Sequence, residues 1–285
     1  MIPQLQKRIV NDPAWMIRDA ARRTMKGRRG LLFFSSMLYL ICASLPILFV
    51  EQIAGLMDVM EKMYSDYLAL LESSPATALQ ELSLAYSDKI SVSPASFLFI
   101  LLIPGPLTLG LSSIWLHVIR GREAYADMVF SGFSNFFRVI VMDALRRIIM
   151  ILFAFLFVIP GIMAYYRYNL TFFLLADNPS MKPHEALSLG RYYMRFNKMN
   201  RFFLDLSFTG WFVLSAVVLI FASNAVTLVM MEAGAEPSVF IQYLIVTVLA
   251  SVIFAPVYAY RGMAAAEYYH RAICRDPRAE SALVN

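Results

Sequence analysis

Apolar positions along the chain fall into long runs set apart by short charged stretches. The runs cover about residues 31–50, 95–119, 139–159, 162–176, 202–231 and 239–260. As a helix, roughly 20 apolar residues cross the hydrocarbon core of a bilayer. The pattern therefore predicts an all-α, polytopic membrane helix bundle with six spans. The third and fourth runs meet at Pro160-Gly161, a turn or breaker signal, and both outer ends of the pair are charged. The expected arrangement is a tight hairpin: a helix entering the membrane, a turn at the far face, and a shorter helix returning.

Between the runs a helical spacing recurs. In residues 1–30, Asp12 and Pro13 form a helix-start signal. Ile17, Ala21 and Met25 then recur every four residues among Arg18, Arg22, Arg23, Lys26 and Arg29. This is a basic amphipathic helix, read either as a binder of the anionic inner leaflet or as a plain topology signal. It lacks the short lead and small-residue cleavage site of a secretory signal. Residues 51–94 carry Ile53, Leu56, Met57, Met60, Tyr64, Tyr67, Leu68 and Leu71 at three-and-four spacing, so the first span is expected to continue as a helix with one apolar face. Ser73-Ser74-Pro75 interrupts it, and Leu79, Leu82 and Tyr86 predict a second, shorter helix. That face must bury against its own hairpin, the outer leaflet or a partner, and an internal hairpin is the expectation. Pro104-Gly105-Pro106 breaks the second run. Residues 31–272 are read as one six-span domain, and the chain after the last span, 261–285, as a short cytoplasmic tail, of which 273–285 lie beyond the domain.

Composition sets the class more firmly. Of 285 residues 59% are hydrophobic and 16% charged, against about 25% charged in ordinary soluble chains. The net charge of +5 raises the question of nucleic acid, but its distribution points elsewhere. Lys and Arg number 8 in residues 1–30, 5 in 120–147, 5 in 177–205 and 4 in 261–285. Residues 51–94 hold 2 against 7 acids, and Glu232 and Glu236 bracket a loop without a base. Basic loops stay cytoplasmic, which places both termini inside and requires an even number of spans. No nucleic-acid partner is expected. Cys42 and Cys274 offer neither metal spacing nor a disulfide, and no cofactor is implied.

Candidate chemistry centres on Arg167, a lone charge within an apolar arm. Such a charge costs about 2.5–3.5 kcal/mol at mid-helix and usually faces a partner inside the bundle. Asn169 is a hydrogen-bonding neighbour, and Asp205 and Asn224 are candidate partners. Structural pairing and snorkelling toward the outer headgroups are the alternatives. Asp205 also stands within reach of an Arg in the preceding segment. Asp143 and Arg147 can pair at i,i+4. Arg146, Arg147, Arg191 and Arg195 are candidates for lipid headgroup contact at the inner face. In 183–200, Ala186, Leu187, Gly190, Tyr193 and Met194 share one side of a helix, with Arg191, Arg195, Lys198 and Arg201 largely opposite. No HExxH, membrane carboxylate pair, Ser-Lys arrangement or phosphate loop is present, so an enzyme is not expected. A non-enzymatic module binding lipid or another amphiphile is the main reading, with membrane lipids as partners. A protein partner or self-association would use 51–94. The alternative is a small transporter or channel with a site near Arg167, since Ile-Pro-Gly occurs at 103–105 and 159–161 and interrupted helices mark transporter sites.

Several segments also carry a resemblance: KGRRG before the first span, GPLTLGLSSIWLHVIRG into FSGFSNF, IPGIMAYYRYNLTFFLLADNP into EALSLGRYYM and FFLDLSFTGW, and the ending APVYAYRGMAAAEYY. Over about residues 15–272 the chain resembles the bacterial six-span family catalogued as domain of unknown function 975. More distantly, the Pro160-Gly161-to-Arg167 pattern is similar to membrane domains of glycerophosphodiester phosphodiesterases. The resemblance implies a bacterial cytoplasmic membrane and a lipid-adjacent setting, with no established activity.

Overall fold

The computed structural model describes residues 9–73, 75–87, 89, 93–232 and 238–273. Outside them lie residues 1–8, Ser74, Glu236 of the acidic loop, Cys274 and the rest of the expected tail. Every element among the described residues is helical. In chain order these are α1 (Ala14–Thr24), α2 (Arg29–Ile53), α3 (Leu56–Ser73), α4 (Ala78–Tyr86), α5 (Pro94–Leu102) and α6 (Pro104–Ile119). A 3-10 helix (Ala126–Asn135) leads into α7 (Phe136–Leu156), α8 (Val158–Arg167) and α9 (Thr171–Asp177). Then come α10 (Pro183–Met194), α11 (Lys198–Leu206), α12 (Thr209–Glu232) and α13 (Val239–Ile273).

Among the described residues, four stretches are long and apolar enough to cross a membrane: Arg29–Ile53, Pro94–Ile119, Lys198–Met230 and Val239–Ile273. The hairpin arms fall outside this set for two reasons. α7 has the length, at 21 residues, but places Asp143, Arg146 and Arg147 within its apolar run. α8 and α9 are only 10 and 7 residues long.

The hairpin itself turns earlier than expected. Phe157 is extended (φ −160°, ψ 152°) between α7 and α8, so the chain reverses three residues before Pro160. Pro160-Gly161 instead lies in the first turn of α8, where a missing N–H costs little because those donors have no intrahelical acceptor. A Cβ on Gly161 would fall 2.8 Å from Ala154, so this glycine lets the two arms touch. From Ile151 to Ile159 the tip exposes large apolar side chains, up to 93% for Phe155.

The described chain divides into two compact units. The first comprises 9–39, 102–215 and 254–273. Its core includes the end of α13, which runs on 13 residues beyond the expected span to Ile273. Met263, Ala264, Ala266, Tyr268 and Tyr269 there are buried. Tyr258 and Tyr269 pack against Trp115 of α6 and Phe173 of α9, respectively. Asp177 takes both Nη groups of Arg120 at 2.6 and 2.8 Å and the hydroxyl of Tyr269 at 2.5 Å. α1 begins after Pro13, with Ala14 as its first residue. Asp12 does not cap it and instead pairs with Arg271 at 2.7 Å. The Ile17–Ala21 face is buried, and Arg18 Nη1 donates to the Ser207 carbonyl at 3.1 Å. The apolar stripe that suited a lipid surface is thus covered by protein.

The second unit comprises 40–101, less the undescribed positions, and 216–253. Gly55, at φ +80°, separates α2 from α3, so the first span does not continue unbroken. α3 and α4 form a hairpin in which the Tyr86 hydroxyl donates to Asp66 Oδ2 at 2.5 Å. Met57, Ala78 and Tyr86 are buried, whereas Tyr64, Leu68, Leu79 and Leu84 stay exposed. Tyr86→Phe removes a hydrogen bond to a carboxylate and is expected to loosen the α3–α4 hairpin. Faster proteolysis between Ser73 and Ala78 in the intact purified protein checks this. Unchanged cleavage would mean that apolar packing alone holds the hairpin.

Candidate functional site

The site is built where α8 ends and α10 and α11 pass. α10 starts at Pro183, and Glu185 Oε2 accepts the Lys182 backbone N–H at 3.1 Å, closing the first turn. Ala186, Leu187, Gly190, Tyr193 and Met194 form its buried face. This orientation leaves Arg191 and Arg195 exposed. Lys198 opens α11, and Arg167 closes α8.

Arg167, Ser188, Arg191, Tyr192, Arg195 and Lys198 line one open cup of about 470 Å³. Arg167 lies ten residues past Phe157, about 15 Å along the helix from the hairpin tip, and is half-buried. Among the described residues none of these four cations makes an ion pair. Arg167 and Lys198 also border a second depression of about 160 Å³ with Phe153, Pro160, Met163 and Ala164. A basic cup and an apolar groove on the α7–α8 hairpin therefore share two residues.

The other residues singled out by sequence lie elsewhere. Asn169 and Asp205 do not reach Arg167. Asn169 Oδ1 accepts Arg201 Nε at 2.9 Å, and Asp205 Oδ1 accepts Arg261 Nε at 3.0 Å. Asp205 also pairs with Arg201, four residues before it, at 3.3 Å. Asn224 belongs to the second unit, is exposed, and donates to the Ile220 carbonyl of its own helix. Asp143 pairs with Arg147 at 2.8 Å and with Arg146 at 2.7 Å, and both arginines border a half-open cavity. Sequence reasoning missed Lys198, Ser188 and Tyr192 as partners of Arg167, because only the fold of α8 against α10 and α11 brings them together. Among the described residues, no group of three His, Cys, Asp or Glu side chains is placed to hold a metal ion.

These features define a helical protein in which, among the described residues, four helices are long and apolar enough to cross a membrane, with a concentrated basic surface beside an apolar hairpin. Residues 155–275 match the family model described as "Protein of unknown function (DUF975)". The match takes in α8 to α13, hence every cation of the cup, and is narrower than the resemblance over 15–272. No curated protein and no solved structure matches the chain.

Proposed function

We propose that this is a non-enzymatic integral membrane module that binds an anionic amphiphile, its headgroup in the cup and its apolar chain along the hairpin groove. One observation carries the reading: Arg167, Arg191, Arg195 and Lys198 converge without a carboxylate and adjoin the apolar wall of Phe153, Pro160, Met163 and Ala164. Like charges gathered at a membrane interface repel unless anions offset them, and each Lys or Arg near an anionic surface contributes about 1 kcal/mol of attraction. In this reading the apolar tip at 151–159 lies in lipid. α7 and the α8–α9 arm then dip in and return, or cross twice where the tip reaches the far face, and the second of these gives six crossings with the four apolar helices. The basic segments keep both termini in the cytoplasm of a bacterium.

The test is native mass spectrometry of protein released from nanodiscs of mixed phosphatidylglycerol and phosphatidylcholine. Wild type should retain the anionic lipid selectively, and Arg167→Ala should insert and fold but lose it. Arg191→Gln with Arg195→Gln should weaken retention roughly thirtyfold, at about 1 kcal/mol per charge. Equal retention by all three proteins would sink the reading. Solute flux in proteoliposomes that depends on Arg167 would favour a transporter instead.

A further inference from the structure

A second polar feature, inside the first unit, is not used by the cup. It is a half-open cavity of about 230 Å³ bordered by Arg146, Arg147, Arg201, Arg261 and the carboxylate of Asp143, with Asn169 and Trp115 among its walls. The arginines come from α7, α11 and α13, up to 115 positions apart in the chain. Asp143, 1% exposed, receives Arg146 through Nε and Nη2 at 3.0 and 2.7 Å and Arg147 through Nε at 2.8 Å. Asp205 serves Arg261 and Arg201, and the Tyr165 hydroxyl accepts Arg261 Nη2 at 3.2 Å. Four guanidiniums face two carboxylates, which leaves two positive charges over.

Arg201 carries the argument furthest. It is 2% exposed, Nε is taken by Asn169, and Nη2 lies 3.3 Å from Asp205 Oδ1. Its Nη1 is buried without a partner, and so is the indole N–H of Trp115 on the same cavity. A buried donor left unpaired is destabilising, the more so when charged. Two such donors on one cavity are therefore expected to meet an acceptor. Asp205 Oδ2 is also unpartnered, but Asp205 is not part of the cavity wall. The volume equals that of roughly seven or eight waters, enough for a phosphate group with a small substituent and too little for a lipid's chains. Arg147 and Arg261 remain about a quarter exposed (28% and 27%), which leaves a path from outside.

We infer that this cavity binds a phosphate group, held by Arg201 and Trp115 at its buried end and by Arg147 and Arg261 nearer the exterior. A phosphate monoester carries close to two negative charges near neutral pH, which matches the two unbalanced positive charges. The planar arginine fork suits its oxygens better than an ammonium does. The site is separate from the cup, so either can fail without the other.

The experiment measures phosphorus in delipidated, detergent-purified protein and then titrates inorganic phosphate by calorimetry at constant ionic strength. A free phosphate ligand predicts little retained phosphorus and saturable binding at one site. A lipid headgroup predicts about one phosphorus per chain that resists delipidation and blocks the titration. Arg147→Gln, whose side chain shares Asp143 with Arg146, should weaken phosphate binding or retention about ten- to a hundredfold. Arg122→Gln, at an exposed residue that borders neither the cavity nor the cup, should leave it unchanged. Wild-type protein that neither retains phosphorus nor binds phosphate overturns the inference, whether or not the variants fold. Equal binding by wild type and a folded Arg147→Gln variant overturns it as well.

Discussion

Asp143→Ala is expected to lose about 3–5 kcal/mol of stability, the usual consequence of removing one partner from a buried ion pair. Asp143 is almost wholly buried and is gripped by Arg146 and Arg147 together. Without it, Arg146 and Arg147 share a cavity wall with Arg201 and Arg261, while Asp205 is already paired with the latter two. Its surroundings also favour an anion: Oδ2 lies 3.3 Å from where a Cβ on Gly105 would stand, at the start of α6, and a helix N-terminus carries partial positive charge. Unfolding by sodium dodecyl sulfate in mixed micelles measures the loss. Asp143→Asn, which keeps the shape and some hydrogen bonding, should fall between wild type and Ala. Replacing Asp143, Arg146 and Arg147 together by apolar residues should cost less than Asp143→Ala alone, because no charge is then stranded. A change below about 1 kcal/mol for Asp143→Ala would mean that water in the cavity solvates the arginines adequately.

The second large effect is expected at Gly110. A Cβ there would lie 2.0 Å from the Val129 carbonyl oxygen, and one on Gly132 would lie 2.0 Å from the Pro106 carbonyl oxygen. α6 and the 3-10 helix thus approach backbone to backbone at two points, and a backbone cannot swing aside as a side chain does. A 3-10 helix of ten residues is unusually long, since such runs rarely exceed a turn or so, and this close approach accounts for its persistence here. Gly110→Ala must separate the two elements and disturb α6, which forms one wall of the arginine cavity through Trp115. The expected outcome is loss of monodisperse protein on extraction. Gly210→Ala is the control: nothing lies within 4 Å of its Cβ position, so stability should change by no more than about 1 kcal/mol. Similar yields for both variants would show that α6 and the 3-10 helix can part without unfolding the unit.

Several local features were legible because they depend on residues near one another in sequence. Four-residue spacing places Ala186, Leu187, Gly190, Tyr193 and Met194 on one face of α10, and that face is buried. Asp143 and Arg147 pair across one helical turn. Pro104 breaks the second apolar run at the α5–α6 boundary. The hairpin was legible as a hairpin, but its turn was not. A Pro-Gly pair reads equally as a turn or as the opening of a helix, and the close packing of Gly161 on Ala154 selects the second.

The sequence alone determined a helical chain with stretches long and apolar enough to cross a membrane, because apolar runs this long and a charge content this low favour solvation by lipid. It also determined where the cations concentrate, since that is a matter of counting along the chain. Tertiary structure decided which cations meet. Arg167 has no local signal pointing to Lys198, and Arg201 none pointing to Arg261, 60 positions on. Residues 261–273 were read as following the last span because Arg261 ends the apolar run. The fold instead buries Met263 to Tyr269 and sets Arg261 against Asp205. The physical reason is that a carboxylate offsets the cost of burying an arginine only when the two are brought together in space, and hydropathy along a chain does not register that pairing.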